Sequence, residues 1–135
     1  MAEARPITPG LFIIGPDGPR LVAGHCPRCG KLHFPAGSTC PYCAAAGCSE
    51  RPVGPSGTLY LYTVVTNRPP GYRGEVPYGF GVVELDDGLR VIGRLGEAHL
   101  ERLQRAQRVR LHIEPLFTDE DGSPVLSYLF TPESR

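Results

Sequence analysis

The sequence lacks a long run of apolar residues, a basic leader and a net charge. No apolar run approaches the ~18 residues that a membrane-spanning helix needs. The first residues, Met1–Ala4, carry no basic cluster, and the apolar stretch Leu11–Ile14 is shorter than a signal-peptide core. Lys and Arg together number 14, as do Asp and Glu, so the chain has no broad positive field to hold nucleic acid or an anionic membrane non-specifically. These absences predict a cytoplasmic protein in a reducing compartment, with no membrane contact.

Turn-forming residues are abundant instead: the chain has 17 glycines and 15 prolines in 135 residues. They are spread along the sequence, which favours many short elements and excludes a helical bundle or a coiled coil. Composition divides the chain into three predicted parts. These are an irregular N-terminal arm over 1–20 with one short strand at Leu11–Ile14, a cysteine-rich segment over 21–52, and a β domain over 53–135.

The β domain shows hydrophobic alternation with a period of two, which is typical of strands. In the first strand, Leu59, Leu61, Thr63 and Val65 alternate with Tyr60, Tyr62, Val64 and Thr66. The pattern predicts strands at Thr58–Thr66, Tyr78–Leu85, Leu89–Leu95, Val109–Glu114 and Val125–Phe130, with one short helix at Glu97–Ala106. Three strands, a helix and two strands is the element order of a five-stranded OB-fold barrel. A Greek-key sandwich has the same kind of pattern and stays open as the alternative.

The cysteines carry the strongest chemical signal. Cys26 and Cys29 are separated by two residues, and so are Cys40 and Cys43, ten residues further on. Each pair can form a tight turn that presents both sulfurs to one ion, and two such turns supply the four tetrahedral thiolates that structural zinc prefers. Iron also suits four thiolates. A segment of this size cannot fold on apolar burial alone, so the metal is expected to be structural. Cys48 lies outside the pattern and is expected to be a free thiol.

No catalytic centre is evident from the residues. Four thiolates leave the zinc no open position to activate water. His99 and His112 of the β domain have no evident serine or cysteine nucleophile nearby. The sequence therefore predicts a protein that is not catalytic alone.

The loop Asn67–Pro77, between the first two predicted strands, is longer than a hairpin needs. OB folds use this loop for ligands. Arg68 and Arg73 can pair with phosphates, and Tyr72 can stack on a ring. A solvent-exposed loop stiffened by proline is an equally good interpretation.

Several sequence blocks together resemble a known family. The blocks are Cys26-x-x-Cys29-Gly30, His33-Phe34-Pro35, Cys40-Pro41-x-Cys43, Gly57-Thr58-Leu59-Tyr60-x-Tyr62-Thr63-Val64-Val65, Val83-Glu84-Leu85-Asp86-Asp87-Gly88 and Gly93-Arg94-Leu95. Their order and spacing over about residues 20–132 resemble the acyl-CoA-associated zinc-ribbon/OB-fold proteins, which are small partner subunits of thiolase-superfamily enzymes.

The resemblance implies a rubredoxin-like zinc ribbon followed by an OB-fold barrel. It also implies a non-catalytic subunit whose partner makes or breaks carbon–carbon bonds in acyl-CoA substrates, with a CoA thioester as a ligand of the complex. In such a complex, Arg68, Tyr72 and Arg73 are the candidate contacts to acyl-CoA or to the partner. The sequence departs from the family at Ala44, where a glycine is usual, and in its short N-terminal region.

A nucleic-acid-binding OB and zinc-ribbon module is the alternative function. Such modules display aromatic residues on the second and third strands and a basic groove. Here Tyr78 and Phe80 are the only aromatic residues on the second predicted strand, the third has none, and the net charge is zero. These features favour the thiolase-partner hypothesis.

Overall fold

The fold is almost entirely β in the computed structural model, which describes residues 4–133. Its ten strands and one 3₁₀ turn have the following bounds: β1 Arg5–Pro6, β2 Phe12–Gly15, β3 Gly18–His25, β4 Leu32–His33, β5 Ser49–Val53, β6 Ser56–Val65, β7 Tyr78–Leu85, β8 Arg90–Leu95, the 3₁₀ turn Leu100–Arg102, β9 Arg108–Thr118 and β10 Pro124–Pro132. Within this part of the chain, no helix is long and apolar enough to cross a membrane.

The five predicted strands of the β domain are all present and close into a barrel. β6, β7 and β8 form an antiparallel meander, and β9 pairs with both β6 and β10. β10 returns beside β8 in parallel, with Leu129 opposite Arg94. This parallel contact and the β6–β9 contact close the sheet on itself, as an OB fold requires. The structure confirms the barrel and excludes the two-sheet sandwich.

Residues 5–20 are more ordered than the predicted irregular arm, whose first three residues lie outside the described part of the chain. β1 pairs in parallel with β10, and β2 forms a hairpin with β3 through Pro16 and Asp17. Pro9 and Pro16 flank β2 and do not interrupt it, so the strand predicted at Leu11–Ile14 survives with a shift of one residue.

The helix predicted at Glu97–Ala106 is wrong: the structure has only the 3₁₀ turn Leu100–Arg102, bounded by extended residues at His99 and Leu103. Two observations explain the difference. Leu103 is buried but Leu100 is 55% exposed, so the segment offers one apolar anchor and no apolar stripe. The backbone beyond it bonds to β6, since the Ala106 N–H donates to the Leu59 carbonyl at 2.8 Å.

The barrel and the cysteine-rich segment share one hydrophobic core. Leu21 and Ala23 of β3 and Val53 of β5 belong to the same buried cluster as Leu111 and Phe130 of the barrel. Phe34 also packs edge-on against Tyr128 of β10, with ring centroids 5.6 Å apart. The small sheet is therefore fixed on the barrel by apolar contacts.

Candidate metal centre

Two backbone turns of the same design present the four cysteines. In the first, the Gly30 N–H donates to the Cys26 carbonyl at 3.0 Å; in the second, the Ala44 N–H donates to the Cys40 carbonyl at 2.9 Å. Residues 28 and 42 hold equivalent positions, and each donates its backbone N–H to the first sulfur of its turn at 3.4 Å. The doubled two-residue spacing thus produces two matching knuckles.

The knuckles bring the four sulfurs into one cluster. The Sγ atoms of Cys26, Cys29, Cys40 and Cys43 all lie within 4.8 Å of one another. Those of Cys26 and Cys43 are 3.5 Å apart, and those of Cys29 and Cys40 are 3.7 Å apart. Zinc–sulfur bonds of about 2.3 Å at tetrahedral angles separate sulfurs by about 3.8 Å, so the cluster fits a zinc ion. With all four positions taken by protein sulfur, a bound zinc would hold the segment together and would supply no open site for water.

Backbone hydrogen bonds favour the thiolate form at the first cysteine of each knuckle. The Cys29 N–H, donating to the Cys26 sulfur, is the main cause that lowers the pKa of Cys26 to about 6. Burial raises the pKa of Cys40, but hydrogen bonds from the backbone N–H groups of Cys43 and Tyr42 and from the side chains of Cys29 and Cys43 together outweigh it, and the net shift is downward. A metal that needs thiolates therefore meets two sulfurs whose deprotonation is eased by backbone N–H groups.

Cys48 differs from the four cluster cysteines. Burial is the largest cause that raises its pKa, and its sulfur lies 4.0 Å from the Ala45 carbonyl oxygen. His33 is also apart from the metal cluster: it is 5% exposed, and its Nε2 lies 3.1 Å from both the Gly37 N–H nitrogen and the Gly37 carbonyl oxygen. A Cβ at Gly24 would lie 2.2 Å from that ring, so His33 packs where only glycine leaves room.

The candidate loop is folded back on the barrel. Arg68 donates to the Gly74 carbonyl and lies over the Tyr72 ring, 6.0 Å from its centroid. Arg73 lies 4.1 Å from the centroid of the Phe117 ring and 3.4 Å from Asp119, with about half of its side chain exposed. The structure therefore places Arg68 beside Tyr72 and directs Arg73 toward β9.

Sequence reasoning missed the surface beside this loop. Tyr72 stacks on Tyr78 with ring centroids 4.7 Å apart, and both line a groove of about 360 Å³. The other groove residues come from four strands: Phe80 of β7; Ile92, Gly93 and Arg94 of β8; Leu116 of β9; and Ser127 and Tyr128 of β10. Only the Tyr78 and Phe80 alternation signalled this face. Tyr128 joins it through the parallel β8–β10 contact, which no local pattern predicts.

Comparisons with known proteins match both halves of this architecture. The family model described as ChsH2, rubredoxin-like zinc ribbon domain, matches residues 15–47, and the model described as ChsH2, C-terminal OB-fold domain, matches residues 50–114. A DUF35 domain-containing scaffold protein of Pyrococcus furiosus is 30% identical over 114 residues, which cover 84% of this chain and 83% of that protein. The chain belongs to the DUF35 family. The zinc ribbon and OB-fold barrel expected from the resemblance are thereby confirmed.

Two further relatives are described as parts of acyl-CoA or aldolase enzymes. The benzoylsuccinyl-CoA thiolase subunit BbsA of Thauera aromatica is 31% identical over 124 residues, covering 90% of this chain and 84% of BbsA. Among solved structures, a chain of the Ltp2-ChsH2(DUF35) aldolase is 26% identical, with a TM-score of 0.65 and 84% of both chains covered. This DUF35 chain thus resembles those proteins through both its ribbon and its barrel.

Proposed function

We propose that this protein is a non-catalytic, zinc-containing subunit that assembles with a thiolase-superfamily enzyme and supports acyl-CoA chemistry by the complex. The similarity to a thiolase subunit over 90% of this chain carries the proposal. It covers the metal centre and the barrel together, so the relationship is not limited to one module. Cys26, Cys29, Cys40 and Cys43 are the proposed zinc ligands, and a reducing compartment such as the cytoplasm keeps them available.

The histidines support a non-catalytic role. The Nδ1 atom of His99 lies 2.9 Å from the Glu97 carboxylate, and His112 points outward from β9. Within residues 4–133, no histidine ring hydrogen-bonds to a serine, threonine or cysteine side chain. Nucleophilic catalysis needs such a pair, and the proposed zinc is closed by four sulfurs.

The loop of residues 67–77 is the proposed point where this subunit meets the partner and the acyl-CoA. Arg68 is exposed, and Arg73 keeps about half of its side chain in solvent. Both are therefore accessible to a phosphate, although Arg73 would have to give up its 3.4 Å contact to Asp119. Tyr72 is half-buried against Tyr78, so its free ring face is the one available for stacking.

Affinity purification of the tagged chain from its native host, followed by mass spectrometry, tests the proposal. We expect a thiolase-superfamily polypeptide to co-purify in a fixed ratio. We also expect β-ketoacyl-CoA cleavage or condensation by the complex and no turnover by the isolated, zinc-loaded chain. Robust turnover by the isolated chain would contradict the non-catalytic role, and purification without any thiolase-superfamily partner would contradict the assembly.

The aromatic row on the barrel gives the nucleic-acid alternative its one structural support. Tyr72, Tyr78 and Phe80 follow one another along this face, and such rings can stack on bases. A gel shift with single-stranded DNA and RNA at two salt concentrations separates the functions. Tight binding that weakens steeply with salt would favour the nucleic-acid module.

A further inference from the structure

The outer face of β6, β7 and β8 is unusually apolar. Strand register places Leu61, Val82 and Ile92 side by side in one row across the three strands. Leu61 is 55% exposed and Ile92 is 58% exposed. The next row holds Thr63, Phe80 and Arg94. We call these two rows the meander face. Large contiguous patches of exposed apolar side chains are rare on monomeric proteins, and where they occur they often mark interaction surfaces.

The groove described above extends the meander face toward the loop of residues 67–77. Phe80, Ile92 and Arg94 belong to both, and Tyr128 forms part of the groove wall. A Cβ at Gly93 would lie 2.7 Å from the Tyr128 ring, so glycine at this position lets the ring lie over β8. The apolar rows therefore continue into a shaped depression and do not end on a flat sheet.

Arginines lie within this surface, as Arg94 does, and beside it. The Nε atom of Arg94 is buried and has no hydrogen-bond partner among residues 4–133. Arg90 and Arg105 both lie over the Tyr60 ring, at 4.0 and 5.5 Å from its centroid. Arg90 has Glu84 at 3.6 Å, whereas no carboxylate of the described chain lies within 4 Å of Arg94 or Arg105. The border is locally basic although the chain as a whole is neutral.

We propose that the thiolase-superfamily subunit docks on the meander face and its groove. The contact surface of that partner is then apolar at its centre and has carboxylates around it. An apolar centre inside a polar border is the usual organisation of a protein interface. One partner carboxylate would pair with the partly exposed guanidinium of Arg94, which has no carboxylate within 4 Å in the described chain. This inference rests on the proposed function and adds the location and chemistry of the contact.

Charge and shape favour this occupant over two others. A second copy of the chain, related by a two-fold axis, would set the arginine border against the same border, and like charges oppose that pairing. A nucleic-acid strand would use the arginines and the aromatic rings, but it would leave the branched side chains of Leu61, Val82 and Ile92 without a suitable partner, since bases stack on rings.

Site-specific photo-cross-linking in the native host tests the location. A benzophenone amino acid replaces Leu61 or Ile92 in the tagged full-length chain, and in a matched control it replaces Leu100, which is also 55% exposed but lies in the 3₁₀ turn. We expect ultraviolet light to join positions 61 and 92, but not 100, to the thiolase-superfamily polypeptide. Cross-links to nucleic acid or to a second copy would overturn the inference, as would equal partner cross-linking from position 100.

Substitutions test the chemistry in the purified complex. Ile92→Glu should weaken association at least about tenfold, because it adds a charge to the apolar centre of the interface. Arg94→Gln should weaken it by about 10–100-fold through loss of the carboxylate contact. Leu100→Glu is the control and should leave association unchanged. Zinc content and circular dichroism identify any variant that fails to fold.

Two kinds of failure can be separated. If no thiolase-superfamily polypeptide co-purifies with the unmodified chain, the proposed function itself is wrong. If the complex forms and both Ile92→Glu and Arg94→Gln bind as tightly as the unmodified chain, the partner docks elsewhere and only this inference is wrong.

Discussion

At the residue scale, the two knuckles differ in the residue that follows the second cysteine, which is glycine in the first knuckle and alanine in the second. Gly30 and Ala44 occupy the same place in their turns, and both have positive φ, 74° and 64° respectively. Glycine adopts this conformation freely, whereas alanine there brings its Cβ close to the backbone. Alanine at position 44 therefore strains the backbone of the second knuckle locally.

Ala44→Gly should stabilise the zinc-loaded protein. Relief of the left-handed conformation contributes about 1–2 kcal/mol, and the greater freedom of glycine in the unfolded chain offsets about 0.4–1 kcal/mol of it. The expected net gain of about 0.5–1 kcal/mol would raise the thermal midpoint by a few degrees. Ala46→Gly is the control, because Ala46 has no positive φ. A lower midpoint for Ala44→Gly than for the unmodified protein would contradict the strain.

The cysteine variants should separate the cluster from the fifth thiol. Elemental analysis should find about one zinc per chain in the reduced protein. Cys26→Ser should lose that metal and unfold the ribbon, since Cys26 is fully buried and its sulfur accepts two backbone N–H bonds. Cys48→Ser should keep the full metal content. Metal-free protein with a folded ribbon would contradict the structural role.

At the scale of the elements, the positions of the strands could be predicted, but which side chains of β6 face the core could not. Period-two alternation located all five barrel strands. It also placed Leu59 and Leu61 on one face of the first strand, whereas the register shifts between them and Leu59 is buried while Leu61 is exposed. A β-bulge inserts one residue and reverses the alternation beyond it, and it depends on pairing with β7. The grouping of Cys26, Cys29, Cys40 and Cys43, by contrast, could be predicted because the spacing within each pair is local.

In the loop of residues 67–77, the side-chain contacts likewise depend on long-range pairing and could not be predicted from the local sequence. Its composition predicts a ligand-binding segment, but the Arg73 contact to Phe117 and Asp119 joins residues more than 40 positions apart in the chain. Such contacts follow from the closed barrel, because the β9–β10 turn lies beside this loop. Local sequence therefore identifies candidate residues, but it does not show which contacts their side chains already make within the chain.

The double variant Arg68→Ala/Arg73→Ala should raise the apparent KM of the complex for acyl-CoA about tenfold or more. The reason is the loss of two charge-assisted contacts to phosphate, each typically worth about 1.5–3 kcal/mol. Arg28→Ala/Arg51→Ala removes two exposed arginines from the ribbon and serves as the control. Steady-state kinetics of the assembled complex give the comparison. Weaker assembly with unchanged kinetics would make the loop a docking element, and no change in either would contradict both roles.

At the scale of the whole molecule, the ribbon and the barrel depend on each other. Leu21 of β3 and Val53 of β5 are almost completely buried in the core that also contains Leu111. The segment that connects the two modules, Gly54 and Pro55, is also fixed to the barrel by hydrogen bonds. The Leu111 N–H donates to the Pro55 carbonyl at 2.7 Å, and the Gly54 N–H donates to Asp87 at 2.9 Å. A zinc ion held by the four cysteines would therefore also support the apolar packing between the ribbon and the barrel.

Removal of zinc should consequently destabilise the barrel as well as the ribbon. Each fully buried leucine or valine contributes about 1.5–3 kcal/mol, so releasing Leu21 and Val53 removes a large part of the 5–15 kcal/mol typical of a domain. Hydrogen exchange followed by mass spectrometry, before and after treatment with a chelator, should show faster exchange in β3 and β5 and also in β6 and β9. Cys48→Ser should respond to the chelator as the unmodified chain does. Two separate thermal transitions, with the barrel transition unchanged by the chelator, would show instead that the modules fold independently.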